Sequence, residues 1–140
     1  MTSTTANSMR KPYMLLVSGV GTAAMGLFHF FLPRIYGWEV DMRHAPAELG
    51  WALLSLNCFF STLLLLVGLT AVAAWWRTEL RVVSSLTLTL FWCTNVAYQL
   101  MVPPPWPHKI AFGLLVFAAF VAALSLWGMA ASFRQRAQPA

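Results

Sequence analysis

"GWALLSLNCFFSTLLLLVGLTAVAAWW", Gly50 to Trp76, runs for 27 residues without one charged side chain. A bilayer core about 30 Å thick takes roughly 20 helical residues to cross, so this run can span it with tilt to spare. Alternation at period two is absent, and lipid offers no water to satisfy free backbone groups. The stretch therefore predicts a transmembrane helix rather than a strand. Three further runs of the same kind are Tyr13–Leu32, Val82–Val102 and Ile110–Ala131. The connections are short, which favours antiparallel neighbours. "RTELR" (Arg77–Arg81) reads as a tight inner turn, and "PPPWPHK" (Pro103–Lys109) as a stiff outer one, because proline fixes φ and cannot continue a helix. The expected fold is all-α: a single-domain integral membrane four-helix bundle, up-down-up-down, with tails at 1–12 and 132–140.

The composition agrees. The 140 residues are 59% hydrophobic and 9% charged, where a soluble domain carries about 25% charged residues. A chain this short has little interior for so much apolar surface. The net charge of +5 does not point to nucleic acid, because the basic residues form short clusters between apolar runs rather than one stripe. A signal-peptide reading of the first run fails on length, since such apolar regions span only about 7–15 residues.

Lysine and arginine set the orientation of membrane helices. Arg10, Lys11, Arg77, Arg81, Arg134 and Arg136 fall on one side of the four runs, against Arg34, Arg43 and Lys109 on the other. Both termini are therefore expected in the cytoplasm, in a multi-pass protein of the cytoplasmic (inner) membrane. Trp38, Trp51 and Trp106 mark an outer aromatic belt, and Trp75, Trp76 and Trp127 an inner one.

Polar groups within a bilayer are costly and usually face protein or a wet cavity. His29, Asn57, Asn95 and Gln99 stand out. Counted from the outer boundary, Asn57 and Asn95 lie about 10 Å deep and His29 about 6 Å deep at 1.5 Å per residue. Gln99 is one turn above Asn95 on the same face. These residues are expected to converge in the outer half of the bundle, beside Phe30, Trp92 and Tyr98, with Glu48 and His108 closing the space from above. A plainer expectation competes: Asn57 and Asn95 hydrogen-bond to each other across two helices. Pro33 adds a constraint. It has no amide hydrogen for the His29 carbonyl four residues back, so that carbonyl needs a donor, for which Asn57, Asn95 and Gln99 are the candidates. Gln99 and Pro103 repeat the spacing, so "HFFLP" and "QLMVP" form a short echo.

Ser18, Thr22 and Gly26, with Gly19 and Ala23 beside them, and Ala118/Ala122 and Ala119/Ala123 are small residues at four-residue spacing. They predict close helix packing, within the bundle in preference to a homo-oligomer interface. Cys58 and Cys93 lie at nearly matching depth, so a disulfide is conceivable, but each reads better as a small buried hydrophobe. No zinc or copper spacing occurs, so no metal is expected. Haem would need a second histidine at the depth of His29, and His44 and His108 lie in loops or at a helix edge. No nucleophile–base arrangement, phosphate loop or carboxylate pair lies within a run, so catalysis has no visible apparatus.

His29 and Pro33, the tryptophan-containing loop after them (Trp38), "LNCFFS" (Leu56–Ser61) and "LFWCTNVAYQL" (Leu90–Leu100) carry a resemblance. In these features the chain resembles small bacterial four-helix membrane proteins of the DoxX-like type. The resemblance implies a four-helix fold and, by analogy with some relatives, an accessory subunit beside a quinone or thiol redox system. The double-cysteine pattern of a thiol oxidoreductase is absent. Three functions are therefore expected, in this order: a non-catalytic accessory or assembly subunit working with membrane-protein partners; a binder of a quinone or lipid through His29, Asn57, Asn95, Tyr98, Gln99, Glu48 and His108; and a haem-containing redox subunit.

Overall fold

The computed structural model describes residues 12–102 and 107–137, and their side chains except at 39, 41 and 135–137. Arg10, Lys11, Pro103 and Trp106 lie outside the described residues, as does most of the outer "PPPWPHK" connection. Every regular element among the described residues is helical. The helices are α1 (Tyr13–Ile35), α2 (Trp38–Asp41), α3 (Ala47–Ala73), α4 (Arg81–Met101) and α5 (His108–Ala137). Short 3₁₀ turns cover Met42–His44 and Thr78–Leu80. Four of the helices (α1, α3, α4 and α5) are long and apolar enough to cross a membrane.

The boundaries differ from the sequence expectation in instructive ways. Pro33 does not end α1, which continues to Ile35. The stop is Gly37, whose φ of +64° is a left-handed conformation that glycine adopts without strain. Tyr36 N–H bonds the Leu32 carbonyl there, and Gly37 N–H bonds that of Arg34. Helix α3 begins at Ala47, directly after Pro46, and ends at Ala73, so Trp75 and Trp76 belong to the turn rather than the span. Arg81 Nε donates to the Ala74 carbonyl at 3.2 Å, satisfying one orphaned acceptor at the end of α3. The last helix runs through Arg134 to Ala137, so most of the expected C-terminal tail is helical.

The packing is inverted relative to a soluble bundle. Large apolar side chains face outward: Trp51 is 73% exposed, Phe59 72% and Leu56 65%. Small hydroxyl residues are inside, with Ser18, Thr22, Ser61, Ser85 and Ser125 fully buried. Most of these hydroxyls return a hydrogen bond to their own helix, as Ser18 does to the Met14 carbonyl and Ser61 to the Asn57 carbonyl. An apolar exterior around such an interior suits a multi-pass protein in a lipid bilayer.

Helix α1 packs most extensively on α3, and α4 on α5; the α3–α4 contact is much lighter. The α1–α3 seam is built on glycine. A Cβ at Gly26 would lie 2.5 Å from Leu65 N, and one at Gly68 would collide with the backbone of Ala23. The small-residue stripe of α1 therefore packs inside the bundle, as its spacing predicts. On α5 the two alanine pairs separate: Ala118 and Ala122 are buried, while Ala119 and Ala123 face outward. The central core comprises Leu15, Ala71, Ala74, Leu88, Trp92, Ala118, Val121 and Ala122.

Candidate functional site

Toward the end of the bundle where α1 and α4 finish, the four long helices part around a cavity of 470 Å³. Helix α1 contributes Met25, Phe28, His29 and Leu32, and α3 contributes Phe60 and Leu64. Helix α4 supplies Phe91, Trp92, Asn95, Tyr98 and Gln99, and α5 supplies Ile110, Leu114 and Phe117. The volume falls in the range of small-molecule pockets, roughly 300–1,000 Å³, and so does the chemistry: mostly apolar walls with a few convergent polar groups.

The walls are fixed by ring contacts that cross from helix to helix. His29 meets Phe60 at 5.1 Å, Phe60 meets Phe91 at 5.9 Å, and Phe91 meets Trp92 at 5.3 Å. Trp92 then meets Phe117 at 5.5 Å. These separations lie in the range favoured by aromatic pairs. At the base, the buried Trp92 Nε1 donates to Thr22 Oγ1 at 2.9 Å, and Thr22 donates on to the Ser18 carbonyl at 2.7 Å. This relay ties α4 to α1 and holds the indole in one orientation.

The polar groups divide into two sets. Asn57 Nδ2 donates to the His29 carbonyl at 2.9 Å. That is the acceptor deprived by Pro33, and Asn57 is one of the donors expected for it. Gln99 Nε2 donates to Asn95 Oδ1 at 2.7 Å along one face of α4. The expected Asn57–Asn95 bond is thus replaced: Asn57 serves α1, and Asn95 serves its own helix. Gln99 Oε1 is buried and has no hydrogen-bond partner.

Of the residues expected at a site, His29, Asn95, Tyr98 and Gln99 meet around the cavity, together with Trp92. Asn57 stands behind His29. Glu48 and His108 do not line the cavity; each is exposed in the first turn of its helix, α3 and α5 respectively. Phe30 is also directed outward. Phe60, Phe91 and Phe117 were missed. Phe60 and Phe91 lie one turn deeper than Asn57 and Asn95, so depth matching extended by a turn would have found them.

Cys58 and Cys93 are free and exposed on the outer surface, not buried as expected. Among the described residues no group of three or more His, Cys, Asp or Glu side chains is arranged to hold a metal ion. No family model, curated protein or solved structure matches the chain.

Proposed function

We propose that the protein binds a lipophilic small molecule with a compact polar head, the class that includes quinones and single-chain lipids, in the cavity between its four long helices. One observation carries this: an apolar, aromatic-walled space of 470 Å³ into which His29, Asn95 and Gln99 converge. Binding needs no catalytic apparatus.

The setting we propose is the cytoplasmic membrane, with an up-down-up-down bundle and both termini inside. The charge distribution supports this orientation. The order of contacts along the α1–α3 seam supports the alternation, since Gly19 packs near Gly68–Val72 and Gly26 near Ser61–Leu65. Tyr13 also stacks edge-on against Trp75 at 4.9 Å, joining the start of α1 to the turn after α3. The cavity then lies in the outer half of the bilayer.

A second function draws on the outward pair Ala119 and Ala123, a small-residue stripe open to a neighbouring helix, and on the DoxX-like resemblance: an accessory subunit of a membrane complex. Native mass spectrometry of protein released from lipid nanodiscs separates the two. A co-released small molecule supports the binder, and a co-released protein supports the accessory subunit. Bare protein alone would count against both.

A further inference from the structure

We propose that the ligand is a single-chain amphiphile with an uncharged head, bound chain first: the chain fills the deep end of the cavity and the head stays at the end where α1 and α4 finish. This rests on the cavity being a ligand site. Three observations set the class and the orientation.

The first is the shape of the space. On α1 it is lined at successive turns by Met25, Phe28 and His29, Leu32 and Tyr36. The 11 steps from Met25 to Tyr36 cover about 16 Å at the helical rise of 1.5 Å per residue. A volume of 470 Å³ over that length leaves a mean cross-section of about 30 Å². That admits one extended hydrocarbon chain and not two side by side. The length matches the reach of a dodecyl chain.

The second is a gradient of polarity along it. Met25, Leu64, Trp92 and Phe117 form the deep end. Trp92 meets Phe117 at 5.5 Å, and Gly26, next to Met25, packs against Ser61–Leu65. Leu64 is 2% exposed and Trp92 3%. The only side-chain nitrogen or oxygen among these four is Trp92 Nε1, which already donates to Thr22 at 2.9 Å. A hydroxyl or carbonyl placed there would lose water and gain no side-chain partner, whereas a methyl group loses nothing. One turn nearer the helix ends His29 and Asn95 enter the walls, and Tyr98 follows a turn later. At the far end the lining residues Tyr36, Val102 and Ile110 are exposed. They lie just past the ends of α1 and α4 and in the first turn of α5.

The third is charge. No lysine, arginine, aspartate or glutamate is among the described residues lining the cavity. An ionic head drawn between the walls would lack a countercharge, so the head is an alcohol, an amide or a glycerol ester. A quinone ring entering first would set its oxygens against Met25, Leu64 and Phe117, where nothing bonds them.

The test uses the full chain in nanodiscs and two photoreactive dodecanols, one with a diazirine at the chain terminus and one with it beside the hydroxyl. Peptide mass spectrometry locates the crosslinks. The terminal probe is expected to label Met25, Leu64, Trp92 or Phe117, and the hydroxyl-side probe Tyr98, Val102 or Ile110. The reverse pattern, or the same residues from both probes, would overturn the chain-first orientation and leave the cavity a ligand site. Label from both probes confined to outward residues such as Leu56 and Phe59 would overturn the cavity as well. Native mass spectrometry at equal mole fraction in the lipid supplies two further readings. Dodecanol should be retained several-fold over dodecyl phosphate; equal or reversed retention would overturn the uncharged head. Met25→Trp adds an indole at the deep end, so it should lower dodecanol retention several-fold and leave octanol unchanged, the octanol result also reporting that the variant is folded. An unchanged ratio of dodecanol to octanol would overturn the placement of the chain at that end.

Discussion

At Pro33 the chain has no amide hydrogen to offer the carbonyl four residues back, yet α1 runs on to Ile35. Asn57 supplies the missing donor from α3. The side chain that repairs the helix also anchors it to a neighbour, and His29, whose carbonyl is repaired, turns its ring toward the cavity. Asn57→Leu should therefore lower stability by about 1 kcal/mol, the usual net worth of a buried hydrogen bond. In a Pro33→Ala background, where residue 33 regains an amide hydrogen for His29, the same change should cost clearly less. A double-mutant cycle by thermal unfolding in lipid measures the coupling; additivity would mean that Asn57 acts through something else. The need for a donor was legible from the four-residue offset alone. Which of three amides fills it was not, because depth arithmetic fixes height along the membrane but not direction around a helix.

The same limit governs the elements. Spans were legible because twenty uncharged residues admit few other structures, and the small-residue stripe of α1 marked its packing face. Faces of the wholly apolar helices were not legible. When both sides of a helix meet apolar surroundings, lipid or protein, hydrophobic periodicity vanishes; hence Cys58 on α3 and Ala119 on α5 face outward with nothing in the sequence to say so. The α1–α3 seam supplies a sharp contrast between glycines. Gly68→Val would drive its side chain into the Ala23 backbone and should abolish the folded bundle, a cost well above the roughly 1–3 kcal/mol of ordinary overpacking. At Gly113 on α5 an added methyl group would meet nothing within 4 Å, so Gly113→Ala should be neutral or stabilising by up to about 1 kcal/mol through helix propensity. Thermal unfolding of both variants in the same lipid checks this; equal effects would contradict the glycine-built seam.

Across the whole molecule, two well-packed helix pairs, α1–α3 and α4–α5, leave a lightly closed α3–α4 side and a cavity behind it. The proposed orientation predicts that, with the native cysteines replaced by alanine, Arg43→Cys is labelled by an impermeant maleimide on intact cells and Arg77→Cys only after lysis. The reverse pattern would invert the topology and move the cavity to the inner leaflet. The cavity itself was only half legible: its polar rim could be read by depth, but its aromatic walls emerge from helix rotations that sequence does not fix. The most direct measurement compares small molecules retained by the wild type and by the double variant Met25→Trp/Leu114→Trp, which fills the space from two of its lining helices, α1 and α5. Both proteins are purified in lipid, matched for thermal midpoint and analysed by native mass spectrometry. A lipophilic molecule bound near one per chain in the wild type and lost in the double variant is the expected result; equal occupancy in both, or none in either, would contradict the cavity as the protein's binding site.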